Sequence, residues 1–160
     1  GVEELLKMIE PNRQLALADA RQAVRLVRKD AARFNIDPTR VGMMGFSAGA
    51  MTTLGVATDV DPASRPDFIA PIYGMLKSGA TVPADAPPAF IVTAADDATI
   101  PPSASIEIFE KWTAAKRPVE LHIYENGQHG FGMRAQGRPV DHWPAAFEAW
   151  LAARGLLAKP

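Results

Sequence analysis

Three segments of the chain carry residues whose types suit nucleophilic acyl chemistry, and the first is GFSAGA at residues 45–50. Ser47 lies there between two glycines, a pattern typical of a sharp turn between a strand and a helix that leaves a serine hydroxyl exposed. The first N–H groups of such a helix, beginning with that of Ala48, can stabilise an oxyanion. Ser47 is therefore a candidate nucleophile, and a small residue in a structural turn is the alternative.

A serine hydroxyl attacks efficiently only when a base takes its proton and a carboxylate orients that base. His129 lies in NGQHGFG, a glycine-rich segment that follows a predicted strand, and ligand sites gather where such strands end. His122 lies inside a predicted strand and His142 at the start of the last helix, where a packing, surface or capping role is simpler. We therefore predict His129 as the base.

The carboxylate is sought between the serine and the histidine, just past a strand. The segment AADDATIP supplies two neighbours, Asp96 and Asp97. Adjacent residues that leave a strand point in different directions, so at most one of them can meet the imidazole. The other is expected to cap the turn or the next helix.

The elements that must position these residues follow from the pattern of apolar residues. We predict helices at 17–34, 47–58, 103–116 and 142–155 and strands at 41–46, 67–74, 89–96 and 119–126. This alternation predicts an α/β fold, a parallel sheet covered by helices on both faces. We expect the first strand to be buried on both faces, because VGMMGF is almost continuously apolar.

Two helices carry more detailed expectations. In the helix at 103–116, Ser103 is the candidate cap, and Ile106, Phe109 and Trp112 form the predicted apolar face. In the last helix the apolar face comprises Trp143, Phe147, Trp150 and Leu151, and Gly155 ends the helix.

Composition excludes several function classes. The 160 residues predict one domain, 1–160, and the net charge of -1 creates no field that would attract nucleic acid. The absence of cysteine excludes disulfides, thiolate metal sites and a cysteine nucleophile. No apolar run is long enough for a membrane span, and no secretion signal is visible, which favours a cytoplasmic location. A small molecule is the expected partner.

In chain order, GFSAG, AADDATIP and ENGQHGFG resemble the C-terminal half of an α/β-hydrolase, in the esterase and lipase branch that includes acetylxylan-type esterases. The resemblance implies Ser47 as nucleophile and His129 as general base, and its Asp-x-x-(Val or Ile)-Pro pattern implies Asp97 rather than Asp96 as the acid. It also implies that Phe131 lines the pocket near His129. The implied activity is a carboxylesterase that cleaves short-chain acyl esters, including those of acetylated carbohydrates, through an acyl-enzyme and without a metal or organic cofactor.

The sequence departs from this branch upstream of the nucleophile. The His-Gly-Gly-Gly type segment that completes the oxyanion hole has no match here, and neither do the first strands of the fold. We therefore expect an α/β-hydrolase fold without its N-terminal strands, because the chain is truncated or naturally reduced. The open edge of VGMMGF should be covered by a second copy or by a missing N-terminal segment, and VEELLKMI is a candidate for this role.

Two other functions fit the same residues. One is a serine peptidase domain of the prolyl oligopeptidase type, which shares the order of the triad. The other is a catalytically weak fragment in which the triad is present but the oxyanion hole is incomplete.

Overall fold

The computed structural model describes residues 2–59 and 61–157 of the chain. Four strands form one sheet: β1 Gly42–Phe46, β2 Phe68–Ile72, β3 Ala89–Ala94 and β4 Val119–Tyr124. The helices are α1 Val2–Ile9, α2 Arg13–Lys29, α3 Ala31–Phe34, α4 Ala48–Ala57, α5 Pro102–Ala114 and α6 Trp143–Ala153, and short 3-10 turns lie at Glu10–Asn12, Pro62–Ser64 and Pro139–His142. The strand order is β1-β2-β3-β4 and every pairing is parallel. The predicted fold class is confirmed.

The alternation of side chains along the strands builds two apolar layers, one on each face of the sheet. On one face, residues of β2 and β3 pack against α6 (Ala70, Ile72, Phe90, Val92, Trp143 and Trp150). On the other face, their neighbours along the strands pack with α4 and α5 (Leu54, Ile69, Ile91, Ile108 and Trp112). Every residue of β3 is buried, so the centre of the sheet is a rigid base for the loops at its carboxyl edge.

The prediction that β1 is buried on both faces is wrong. In the described part of the chain this strand pairs only with β2, Gly42 is exposed, and Met44 keeps 37% of its surface. The cause is position, because the α6 layer is centred on β2 and β3 and β1 lies at its margin. An apolar sequence therefore occupies the edge of the sheet.

The helix predicted at 17–34 begins earlier and is interrupted. It starts at Arg13, breaks at Asp30, and resumes as the single turn of α3, which ends where Asn35 adopts a left-handed conformation with φ 52°.

Helix α5 is shifted from its predicted pattern. Pro102 begins it, because a fixed φ and a missing N–H suit a first helical residue, so Ser103 lies inside the helix and does not cap it. The buried face is Ser105, Ile108 and Trp112, whereas Ile106 is 39% exposed.

The prediction for α6 is confirmed. Trp143 and Trp150 are buried, and Phe147 and Leu151 pack against the same core. Gly155, with φ 67°, follows the helix, and the N–H of Leu156 returns to the carbonyl of Leu151 at 3.0 Å, as glycine-terminated helices do. Within residues 2–59 and 61–157, no helix is both long and apolar enough to cross a membrane.

Candidate active site

Ser47 lies at the junction of β1 and α4 in a strained conformation. Its φ is 52° and its ψ is -118°, a region that costs a residue with a side chain about 1–3 kcal/mol. The surrounding backbone holds it there, because its N–H donates to the carbonyl of Ile72 at 3.0 Å and its carbonyl accepts from Met51 at 3.1 Å. The hydroxyl is thereby presented at the carboxyl edge of the sheet.

Gly45 makes this turn sterically possible. A methyl group at Gly45 would overlap the carbonyl of Gly49 and lie 2.6 Å from the hydroxyl of Thr53. The first turn of α4 therefore packs directly on the end of β1, as the spacing of the motif predicts.

The structure brings Ser47, His129 and Asp97 together. Ser47 Oγ lies 2.8 Å from His129 Nε2, and His129 Nδ1 lies 2.8 Å from Asp97 Oδ2. When Nδ1–H donates its hydrogen bond to the carboxylate, Nε2 carries the lone pair that can take the hydroxyl proton. This arrangement has the geometry required for base-assisted attack by a serine.

Asp97 is held at the end of β3 by its own turn. Its side chain is fully buried, and Oδ1 accepts the N–H groups of Thr99 at 2.8 Å and Ile100 at 2.9 Å. With Oδ2 on the imidazole, both oxygens of the buried carboxylate have partners, as a buried charge requires.

Asp96 does not meet the imidazole. Its Oδ1 accepts the N–H of Gly127 at 2.8 Å and that of Gln128 at 2.7 Å. These two hydrogen bonds hold the pKa of the Asp96 carboxyl below its usual range, and the bond from Gln128 has the larger effect. Gln128 has a positive φ of 59° and directly precedes His129. The two neighbouring aspartates thus secure His129 by different routes, Asp97 through the ring and Asp96 through the backbone.

Tyr73 is a residue at the site that the sequence interpretation missed. It follows β2 with a positive φ of 40°, is 4% exposed, and packs its ring edge-on against His129 with 5.0 Å between centroids. Burial raises the pKa of the Tyr73 phenol, a backbone hydrogen bond from Gly132 opposes this, and the charge of Asp97 adds to the rise. In the sequence, Tyr73 could have been identified because it directly follows an apolar run and so lies at the sheet edge that also holds Ser47 and Asp97.

Phe131 lies in the core. It is 3% exposed, and its ring packs on Tyr73 with 4.6 Å between centroids. Trp143 braces the same loop, because its indole N–H donates to the carbonyl of Gly132 at 2.8 Å. Phe131 therefore supports the ring that contacts His129.

The other two histidines have different surroundings. His122 pairs with Glu120 on β4 at 2.7 Å, and His142 is exposed in front of α6. Neither is brought to Ser47.

Ala48 begins α4, so its N–H is among those at a helix N-terminus that have no partner inside the helix. The described residues ahead of β1 form α1, a 3-10 turn, α2 and α3.

In the described ranges no group of three or more His, Cys, Asp or Glu side chains is arranged to hold a metal ion.

The chain resembles known proteins over most of its length. Residues 2–159 match the sequence profile of the dienelactone hydrolase family. An acetylxylan esterase of Xylanibacter ruminicola is 29% identical over 153 residues, covering 76% of this chain and 32% of the relative. An endo-1,4-beta-xylanase B of Butyrivibrio fibrisolvens is 24% identical over 163 residues, covering 78% of this chain and 26% of the relative.

A solved structure of a hydrolase has the same fold as this chain. An acetyl ester-xyloside bifunctional hydrolase from Caldicellulosiruptor lactoaceticus superposes with a TM-score of 0.80 at 28% identity, covering 89% of this chain and 66% of that chain. The chain spans only 32% and 26% of the length of the two curated relatives. The sequence match, which runs through all three motifs of the site, shows that the chain belongs to the dienelactone hydrolase family of α/β-hydrolases.

Proposed function

We propose that the chain is a serine ester hydrolase, with Ser47 as nucleophile, His129 as general base and Asp97 as the carboxylate that orients the imidazole. The observation that carries the proposal is the continuous pair of 2.8 Å contacts from Ser47 Oγ through the imidazole to Asp97. Membership of a hydrolase family supports the same activity.

In the first step Ser47 Oγ attacks the ester carbonyl while His129 Nε2 takes the hydroxyl proton. The buried Asp97 carboxylate stabilises the imidazolium that forms. His129 then donates that proton to the departing alkoxide, which leaves as the alcohol and an acyl-Ser47 ester remains. In the second half of the reaction a water molecule attacks this ester while His129 takes its proton. The bond between the acyl carbon and Ser47 Oγ then breaks, His129 returns the proton to Oγ, and the carboxylic acid leaves.

The negative charge that develops on the carbonyl oxygen needs donors that are already in place. The Ala48 N–H is one such donor, because it lies at the N-terminus of α4 next to the nucleophile. Removing one donor from an oxyanion hole slows an enzyme by roughly 100- to 1,000-fold. A chain with only this donor would therefore hydrolyse esters slowly, yet its activity would still depend on Ser47.

The substrates we propose are short-chain acyl esters, including acetylated carbohydrates. Two relatives with names that refer to acetyl esters, an acetylxylan esterase and an acetyl ester-xyloside hydrolase, support this substrate class. Both are longer than this chain, so the proposal concerns the chemistry at Ser47 and not their whole activity.

The test is hydrolysis of p-nitrophenyl acetate and butyrate by the chain and by Ser47→Ala. We expect Ser47→Ala to lose the activity, and Ser103→Ala, which changes an exposed serine on α5, to keep it. Equal rates for the chain and Ser47→Ala would overturn the proposal. Labelling of Ser47 by a fluorophosphonate tests the nucleophile separately, and preference for dipeptide amides would favour a peptidase.

We also propose that the free edge of β1 is covered by another strand, from a second copy of the chain or from an N-terminal segment. The open edge and the exposed apolar Met44 support this proposal, since an uncovered apolar edge pairs readily with other chains. In the described residues α1 is a helix and does not pair with β1, and its residues line cavities beside Ala48 and Met75.

A further inference from the structure

A cavity of about 280 Å³ opens beside the first turn of α4. Ala48 and Gly49 line it from α4, and residues of α1 and α2 form the facing wall. It begins at the residue that follows Ser47, and Ala48 is the residue whose N–H we assign to the oxyanion. The cavity therefore borders the backbone of the nucleophile turn, although Ser47 itself does not line it.

The walls of the cavity are mainly apolar. Met8, Ile9, Ala16 and Met51 supply the apolar surface. Three polar residues, Asn12, Arg13 and Thr52, also line the cavity. The Arg13 guanidinium is paired with Glu10 at 3.7 Å, and the Thr52 hydroxyl donates to the carbonyl of Ala48 at 3.2 Å. A sugar ring needs several hydrogen-bonding partners when buried, whereas a hydrocarbon chain needs none. The lining therefore suits the hydrocarbon part of an ester.

Gly49 keeps this space open. It is exposed, and a methyl group on it would meet no other heavy atom within 4 Å. Close backbone approach, the usual reason for glycine in this motif, applies to Gly45 but not to Gly49. Because Gly49 also lines the cavity, a long side chain at this position has room to extend into it.

The size of the cavity limits the chain that it can hold. Its volume of about 280 Å³ is just below the roughly 300–1,000 Å³ typical of small-molecule sites. An acetyl group would leave most of it empty. A second cavity of about 410 Å³ shares the lining residues Arg13 and Met51 with it.

We propose that this cavity binds the acyl chain of the ester, and that Gly49 sets the accepted length, favouring butyryl and hexanoyl over acetyl groups. This inference rests on the proposed function and names its acyl group. Each methylene removed from water contributes about 0.8 kcal/mol, or about fourfold in kcat/KM. The ratio of kcat/KM for hexanoate to that for acetate is therefore expected to be well above one.

The experiment measures this hexanoate to acetate ratio with p-nitrophenyl esters, so that the leaving group is constant. Gly49→Leu fills the cavity from α4, and Ala16→Leu fills it from α2. We expect each variant to lower the ratio at least fourfold, the contribution of about one methylene. The matched control is Ala18→Leu, an exposed position on α2 outside the cavity, which should leave the ratio unchanged.

Two results are decisive against the inference. If both filling variants keep the ratio of the unaltered chain while hydrolysis still depends on Ser47, the acyl chain binds elsewhere and the proposed function stands. If hydrolysis does not depend on Ser47, the proposed function fails and this inference fails with it. Ala16→Leu places a strong helix former on a helix, so the test remains available if Gly49→Leu does not fold.

Discussion

The Cα of Gly45 faces the carbonyl of Gly49 so closely that no side chain fits between β1 and α4, whereas Gly49 itself faces open space. We predict that Gly45→Ala destabilises the fold by about 1–3 kcal/mol, the usual effect of overpacking, and displaces Ser47. Thermal melting measures the first effect and fluorophosphonate labelling the second. Gly49→Ala is the control and should melt no earlier, because alanine is the better helix former. Equal melting temperatures for Gly45→Ala and the unaltered chain would contradict the close contact.

The two aspartates after β3 should differ sharply in their effects on rate. Asp97→Asn retains the shape of the side chain but favours the wrong imidazole tautomer, and we expect kcat to fall by about 10⁴-fold. Initial rates on p-nitrophenyl butyrate measure this loss. A loss below tenfold would assign the orienting role to another group.

Asp96→Ala should lower kcat by a smaller factor, roughly 10- to 100-fold, with little change in KM. It removes the acceptor for Gly127 and Gln128 and frees the backbone that positions His129. Asp96→Asn retains an amide oxygen as acceptor and should restore most of the rate. The control is Asp141→Ala, because Asp141 accepts two backbone N–H groups in the same connection, from Gln136 and Arg138, away from His129. Equal losses of kcat in Asp96→Ala and Asp141→Ala would show that Asp96 stabilises the loop in general and does not specifically position His129.

The free energy of unfolding should fall in acid, because the loop carboxylates of Asp96 and Asp141 become protonated. Hydrogen bonds from backbone N–H groups hold the pKa of Asp96 and of Asp141 below the usual value. Because the pKa in the folded state is lower than that in the unfolded state, about 3.9, the stabilisation is present above that value. It is lost as the pH falls through the pKa of the folded state. Melting temperatures of the chain and of Asp96→Asn should differ most near neutral pH and converge below about pH 4. A difference that grows on acidification would contradict the sign.

The edge of β1 should determine self-association. Met44 is exposed on this strand, and a charge on an edge strand disfavours pairing with another strand. If a second copy covers the edge, light scattering should find an assembly larger than the monomer, and Met44→Lys should dissociate it. Ile106→Lys, at an exposed position on α5, is the control. A monomer at high concentration with rapid hydrogen exchange along β1 would overturn this proposal.

Sequence alone identified the elements well where local patterns decide them. The parallel α/β alternation and the apolar face of α6 were predicted because periodicity records which side of an element meets the core. The start of α5 was not, because Pro102 rather than Ser103 begins the helix. Its predicted apolar face was right for Trp112 and Phe109 and wrong for Ile106, which is exposed. The open edge of β1 was expected from the missing upstream strands, but the burial of both its faces was predicted wrongly, because an apolar run does not reveal how far the covering helices extend over an edge strand.

For the site, the residue types and their order could be read directly from the sequence: one serine in a glycine turn, one histidine among glycines, and a pair of aspartates between them. The resemblance already implied Asp97 as the acid, but the role of Asp96 came from the fold, in which its carboxylate accepts the backbone N–H groups of Gly127 and Gln128 just before His129. The tertiary structure also placed Tyr73 against His129 and left Gly49 facing a cavity. The physical reason is that spacing along a chain specifies local direction, whereas contacts between the ends of different strands depend on how the sheet is assembled.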